Sequence, residues 1–365
     1  MMTLSEFLIP SSEYAARRGP EDVIVLSSRA RLARNLCDSS FPSWAKKPER
    51  LQILKRISDA VVNLAPMKSC LMESMDNLSN NDKLALMERH LISREHTGRG
   101  AGSGLAINKE ENISVMINEE DHLRMQAILP GFQIRKAWER IDQLDSELEK
   151  KIPYAFHPDY GYLTACPTNL GTGIRVSAML HLPGLALTDQ ISQIVGAVSK
   201  LGLAVRGIYG EGTDALGNLF QASNQMTLGE TEEDIVIRLE KVIRQVVKNE
   251  ENARQTLLEE KDQVTLLNHI GRAWGILSNC YTIETRETLN LLSFIRLGID
   301  LGMFPKGKRS DLEELFLITQ RGHLQLAAKE NMDAPQRDRA RAEILRKKIL
   351  KLKAPQKVKL KALES

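Results

Sequence analysis

A change of pattern near residue 230 sets the strongest limit on what this chain can fold into. Thr231-Glu-Glu-Asp places a capping residue before three acids, as a helix N-terminus does, and apolar residues then recur at three- and four-residue spacing to about Lys261 with no proline or glycine. Further helix-like segments follow, separated by turns such as Gly302-Met-Phe-Pro-Lys-Gly, so roughly 255–365 reads as an all-helical domain. Upstream the texture is mixed. Asp22-Val-Ile-Val-Leu-Ser-Ser, Ile113-Ser-Val-Met-Ile-Asn and Leu201-Gly-Leu-Ala-Val-Arg-Gly read as strands, whereas Glu49–Ala65 and Thr188–Leu201 carry helical periodicity. Strands so far apart, with connections of varied kind, predict an antiparallel or mixed sheet and an α+β class. The expected organisation is a domain over 1–254 and a helical domain over 255–365.

Several function classes are disfavoured early. Aromatic residues make up 5% of the chain, too few for a large base-stacking surface. No apolar run approaches the roughly 18–20 residues of a membrane span. The opening Met-Met-Thr-Leu-Ser-Glu lacks the basic and apolar regions of an export signal, so a cytoplasmic location is expected. Cys37, Cys70, Cys166 and Cys280 form no Cys-x-x-Cys pair, and the seven histidines form no His-x-x-x-His pair. No protein metal site is therefore expected; a metal, if used, arrives with a substrate.

Two segments look like phosphate loops. Gly302-Met-Phe-Pro-Lys-Gly-Lys-Arg309 nearly spells a P-loop, but Arg309 stands where Ser or Thr would reach magnesium, and no strand precedes it, so it reads as a turn between helices. Gly98-Arg-Gly-Ala-Gly-Ser-Gly104 reads as a flexible hairpin or lid, with a backbone phosphate cradle as the alternative.

Four other segments concentrate chemistry. Ser27-Ser-Arg29-Ala-Arg31 closes a strand with two arginines on one side. Asn118-Glu119-Glu120-Asp121-His122-Leu-Arg124 follows a strand; Cys166-Pro-Thr-Asn-Leu-Gly-Thr-Gly-Ile-Arg175 joins a thiol, a glycine-rich turn and an arginine; Arg206-Gly-Ile-Tyr-Gly-Glu211 ends another strand. Singly, each has a plain explanation: solvated arginines, first-turn acids, a small buried thiol.

Together they resemble the phosphagen (guanidino) kinases, whose Asn-Glu-Glu-Asp-His and Cys-Pro-Thr-Asn-Leu-Gly-Thr-Gly strings stand here nearly letter for letter, over roughly residues 20–254. Pairing with a C-terminal helical domain is similar to the bacterial branch that phosphorylates arginine side chains of proteins. The resemblance implies a mainly antiparallel sheet flanked by helices. It implies that Arg29, Arg31, Arg124, Arg175 and Arg206 grip the phosphates of ATP carried with Mg2+, and that His90 contacts the nucleotide. Glu120 and Glu211 would hold the acceptor guanidinium, with the reactive Cys166 beside it. It also implies a homodimer, a stress-response role in marking proteins for degradation, and association with the repressor CtsR, the activator McsA and the ClpC–ClpP protease.

The chemistry agrees with that assignment. Phosphoryl transfer needs positioning and neutralisation of charge, which forked arginine donors supply without a P-loop. A guanidinium, with a pKa above about 12, must be oriented by carboxylates and lose a proton as the N–P bond forms. The Ser-x-Arg-x-Arg strand begins near Val23, leaving no room for the helical N-terminal domain of small-molecule guanidino kinases, so an open pocket and a protein substrate are expected; a small-molecule arginine- or creatine-type kinase is the alternative. In the helical domain, Arg337-Asp338-Arg-Ala-Arg341 matches a phosphoarginine-binding motif of that branch, and helical spacing puts Arg337 and Arg341 one turn apart. Arg337–Ser365 holds 11 Lys+Arg against 3 Asp+Glu in a chain of net charge +3, so a polyanion-binding module is a third reading; no direct nucleic-acid role and no membrane role are expected.

Overall fold

The computed structural model describes residues 18–207, 215–305, 307–328 and 331–356. Its strands are β1 Val25–Arg34, β2 Leu71–Ser74, β3 Gly104–Ile107, β4 Ile113–Ile117, β5 Leu123–Pro130, β6 Phe156–His157, β7 Gly161–Tyr162, β8 Ile174–His181, β9 Leu203–Gly207 and β10 Leu219–Asn224. Eight of them form one sheet in the order β2-β3-β4-β5-β1-β8-β10-β9, every neighbouring pair antiparallel, and β6 and β7 make a separate hairpin.

The ten-residue β1 lies at the centre, paired with β5 and β8. Side chains alternate across it, so Ala30 and Leu32 point into the core while Ser27, Arg29 and Arg31 share the opposite face. Helices Ile134–Glu149 and Glu232–Thr256 cover the apolar face. Their buried residues recur at three- and four-residue spacing: Ile134, Ala137, Ile141, Leu144 and Leu148 on the first; Ile235, Leu239, Val242 and Val246 on the second. Burying each of these isoleucines, leucines and valines contributes about 1.5–3 kcal/mol, and Ala137 less. One face of the sheet is thus apolar and helix-covered; the other is polar over β1, β8 and β10, while at its β2–β4 end Leu71, Leu105, Ile107 and Met116 form a smaller apolar cluster with Ala85 and Leu86 of helix Asn80–Glu88.

The expected helix from Thr231 starts as predicted, with the Thr231 hydroxyl accepting from Asp234 N, but it ends at Thr256 and a second helix, Glu260–Asn279, follows. At the break Leu257 turns into a separate apolar cluster that runs through Ile270, Leu292, Phe304, Leu312 and Leu345. The larger cluster runs from Ile24 to Ala253. Two strand readings also shift. β1 runs on to Arg34, so its paired arginines lie mid-strand, and the third strand begins at Leu203 because Gly202 turns with φ 72°.

The helical part docks through polar ties. Arg309 donates to Asp22 and Asp300 at 2.8 and 2.6 Å, Arg296 donates to the Asp22 carbonyl at 2.9 Å, and Glu88 accepts from the amides of Gly322 and His323 at 2.7 and 3.1 Å. Arg309, the residue that breaks the P-loop pattern, is thus a bridge between the two parts. The Gly98–Gly104 segment divides: Gly100 is exposed, whereas Gly102, Ser103 and Gly104 are buried, so its second half is packed structure rather than a lid.

At the end of β1, Arg34 is 1% exposed; it donates to Asp145 at 3.0 and 2.6 Å and to the Thr172 carbonyl at 2.8 Å, with its guanidinium 3.6 Å from the Tyr162 ring centroid. It ties the sheet, the covering helix and the Cys166–Arg175 segment together. Arg34→Ala strands Asp145 in the interior and is expected to lower unfolding free energy in urea by about 3–5 kcal/mol. The Arg34→Ala/Asp145→Ala pair should cost less than the sum of its singles; strict additivity would contradict this role.

Candidate functional site

Register on the polar face does what a list of arginines cannot. Across β1 and β8, Arg31 lies directly opposite Arg175; across β1 and β5 it faces Gln126, with Ala33 opposite Arg124; across β9 and β10, Arg206 faces Gln221. Like charges placed directly opposite on neighbouring strands repel. Burial first, then Arg29, Arg124 and Arg175, hold the Arg31 guanidinium well below its usual pKa. Arg175 is lowered by burial and then by Arg206 and Arg124. Guanidinium groups remain protonated through such shifts, so the shifts record burial first and mutual repulsion second, and an anion bound there would offset both. Nε of Arg31 and Nε of Arg175 are buried with no hydrogen-bond partner among the described residues, as donors awaiting an acceptor would be. Arg29 donates to the Gln221 side chain at 3.3 Å and Arg175 to Ser223 Oγ at 3.4 Å.

The acids come from the turn between β4 and β5. Asn118 adopts φ 54°, and its side chain donates to the Arg50 and Gly102 carbonyls at 3.0 and 2.7 Å. The acids are therefore in a tight hairpin, not in the first turn of a helix, and adjacent side chains diverge. Glu119 turns inward, fully buried, and takes Arg124 in a two-pronged pair at 2.9 and 2.7 Å together with the Ser93 hydroxyl. Burial would raise its carboxyl, but Arg124 and Ser93 outweigh that and hold it below the normal value. Glu120 turns outward; partial desolvation, then Asp121, push its carboxyl above the ordinary range. Asp121 accepts from Asn35 at 2.6 Å and from Ala165 N at 2.7 Å, fastening the turn to the residue before Cys166. His122 Nδ1 accepts from Leu36 N at 3.1 Å while Nε2 lies 3.0 Å from the Ser40 carbonyl, so the proton is assigned to Nε2; burial lowers its pKa.

Cys166 precedes the short turn Pro167–Asn169, half-buried, with Sγ 3.0 Å from Thr168 Oγ1. Gly173 has φ 66°, and a Cβ there would lie 2.7 Å from the Ala33 carbonyl oxygen, so only glycine lets this segment lie against β1. A cleft of about 130 Å³ results, lined by Arg31, Arg124, Arg175, Glu120, Asp121 and Cys166.

Other predicted residues fall around it. His90 does not line this cleft but a second cavity of about 220 Å³, shared with Ser27, Ile128 and Met179 and walled on the far side by Phe316 and Gln320 of the helical part. Burial and then Arg29 lower its imidazole to about 4, so it is neutral near pH 7. Arg206 is exposed, yet near enough to act on Arg175. Glu211 lies outside the described residues, as does the end of the basic tail beyond Gln356. Arg337 and Arg341 are one turn apart on helix Ala334–Ile349. Arg337 donates to the Met332 carbonyl at 2.6 Å; Arg341 is buried, donating to the carbonyls of Thr319 and Ile283 at 2.8 and 2.7 Å and to Asp338 at 2.5 Å. Among the described residues no group of three or more His, Cys, Asp or Glu could hold a metal, and no helix is long and apolar enough to cross a membrane.

The residues that sequence reading left without a role are Glu119, Asp121, His122 and Asn35, which position the site. Asn118 was the available signal: asparagine tolerates positive φ, which marks a hairpin turn.

Comparison with known proteins places these features. Residues 52–253 match the model of the ATP:guanido phosphotransferase C-terminal catalytic domain, and residues 263–360 that of the protein-arginine kinase McsB C-terminal domain. The chain is 44% identical over 338 residues to a protein-arginine kinase of Halothermothrix orenii, covering 93% of this chain and 96% of that one. It is 42% identical over 351 residues to the protein-arginine kinase of Bacillus subtilis, covering 95% and 96%. Among solved structures, a lombricine kinase superposes with TM-score 0.56 at 25% identity, covering 66% of this chain and 71% of that chain. A duplicated taurocyamine kinase of Schistosoma mansoni with bound transition-state-analogue components gives TM-score 0.58 at 22% identity, covering 84% of this chain and 49% of that one.

An array built for an anion has a measurable signature. Arg31→Ala should weaken polyphosphate binding by roughly 10- to 100-fold, the loss of about 1.5–3 kcal/mol for a charge-assisted contact. The same substitution should hold or raise the thermal midpoint of the ligand-free protein, since it removes a repelling charge. A lowered midpoint with unchanged binding would show Arg31 to be structural.

Proposed function

Because the chain belongs to the ATP:guanido phosphotransferase family, in its protein-arginine kinase branch, and ATP is that family's phosphate donor, we propose how its residues carry phosphate from ATP to arginine side chains of proteins. The observation that carries the reading is the convergence of Arg31, Arg124 and Arg175 with Glu120 and Cys166 on one cleft. The triphosphate lies along the polar face of the sheet, on Arg29, Arg31, Arg124, Arg175 and Arg206. The base end points along β1 toward the cavity of His90, Ile128 and Met179. Neutral His90 suits contact with an uncharged base. Magnesium would enter with the nucleotide rather than through a carboxylate, histidine or thiol cluster of the described residues, and when bound it would supply further neutralisation of triphosphate charge beside the arginines.

The acceptor guanidinium is held by Glu120 and, by family likeness, Glu211, with Cys166 alongside. One guanidinium nitrogen attacks the γ-phosphorus in line; the N–P bond forms, the bond to the bridging oxygen of ADP breaks, and the nitrogen's proton passes to the Glu120 carboxylate. A carboxylate with a raised pKa is the better base for so weak an acid. Glu119 touches no substrate in this scheme; it holds Arg124.

The wider reading follows the family. We place the domain division at 1–254 and 255–365. Within the helical domain Arg337 contacts phosphoarginine, and Arg341, buried on the Thr319 and Ile283 carbonyls and paired with Asp338, holds that helix in place behind it. A cytoplasmic homodimer that marks proteins for degradation under stress, in company with CtsR, McsA and ClpC–ClpP, is the biological setting we propose.

Glu120 gives a direct test. With Glu120 as base, turnover should fall as pH drops through its raised pKa, an acid limb lying above the roughly 4.3 of an ordinary glutamate. Glu120→Gln should abolish that limb and lower kcat at least about 100-fold while leaving ATP affinity within about threefold. Retention of the limb in the variant would remove Glu120 from the role.

A further inference from the structure

The cleft of about 130 Å³ is lined by the residues assigned to the reacting groups, so the remainder of a protein substrate lies outside it. A second depression lies directly behind the Cys166–Arg175 segment. It is an open groove of about 740 Å³ between the β6–β7 hairpin and the chain from Thr227 into helix Glu232–Thr256, with Gly171 and Thr172 as its floor. The two depressions share one wall. Thr227 Oγ1 donates to the Thr168 and Leu170 carbonyls at 3.1 and 2.6 Å, and the Gly171 carbonyl accepts from Tyr162 N at 2.8 Å; Thr168 lines the cleft and Gly171 the groove. A single thickness of backbone separates them.

The groove is lined as a docking surface for chain, not as a small-molecule site. Phe156, Tyr160 and Leu228 stand 58%, 53% and 45% exposed there, although most large apolar residues among those described are buried. Phe156 is braced edge-on against Tyr162 at 5.3 Å and Tyr160 lies 4.9 Å from the His157 ring, so both aromatics are pre-positioned. Of its four lining carboxylates, Glu230 is neutralised by Arg238 through two contacts of 2.5 Å, and Glu232 accepts from Trp138 Nε1 at 2.7 Å with Arg34 3.8 Å away, which leaves Asp159 and Asp234 as the acids without an arginine partner among the described residues. The groove therefore keeps a net negative field.

We propose that this groove docks the polypeptide flanking the target arginine, preferring basic and apolar neighbours. The proposal rests on the protein-arginine kinase reading and adds where the rest of the substrate sits. A target arginine reaches over the Cys166–Arg175 ridge into the cleft while its neighbours lie on Tyr160, Phe156 and Leu228.

The test compares two acceptors in the full chain: an unfolded arginine-rich protein, and N-acetyl-arginine amide, which has no flanking residues. Turnover by the unaltered chain checks the kinase reading separately. Tyr160→Ala/Leu228→Ser changes two exposed positions and should raise KM for the protein about tenfold, leaving KM for ATP and the rate on N-acetyl-arginine amide unchanged. Asp159→Lys should raise the protein KM with a weaker salt dependence than the unaltered chain shows. An unchanged protein KM in both variants, or an equal loss on both acceptors, overturns the proposal.

Discussion

The rest of this structure answers to one unfavourable interaction: Arg31 facing Arg175 across β1 and β8, with Arg124 and Arg29 close by. Nothing in the sheet's own stability calls for it, since an antiparallel pair would be better with an opposite charge or an apolar residue at either position. The array holds because the other face of the same strands is committed to a core. β1 cannot slip by one residue without putting Ala30 and Leu32 in solvent and its arginines under the covering helices, so the register that buries one face imposes the charge cluster on the other.

The same economy governs the hairpin between β4 and β5. Three consecutive acids would repel in a helix turn. In the hairpin they part: Glu119 inward to Arg124, Glu120 outward to the cleft, Asp121 back to Asn35 and Ala165. Neighbouring carboxylates thereby acquire opposite pKa directions, lowered at Glu119 by its ion pair and raised at Glu120 by desolvation and Asp121. One serves as an anchor and the other as a base, a separation set by environment alone.

Much of this was legible before the structure. The α+β class, the onset of the helix after Thr231 and the acid and arginine strings are all local patterns. The register opposing Arg31 and Arg175 was not legible, because strand pairing over more than a hundred residues leaves no local trace. The inward turn of Glu119 was masked because Glu-Glu-Asp is equally at home in a helix's first turn. The helix break at Leu257 was invisible for a similar reason: periodicity carries across it, and only the structure shows Leu257 packed into the second apolar cluster. Arg309 read as a failed P-loop and instead joins Asp22, just before β1, to Asp300 of a C-terminal helix. The groove beside Cys166 needed three separate segments brought together before its shape existed at all.

The central claim is that the arginine face and Glu120 together transfer phosphate to guanidinium nitrogen. The most direct measurement incubates the chain with γ-labelled ATP and a basic protein, then follows the label through acid. A phosphoramidate N–P bond hydrolyses in acid and a phosphoserine ester survives it, so the account predicts label that is lost on acid treatment and maps to arginine. Acid-stable label on serine would contradict it.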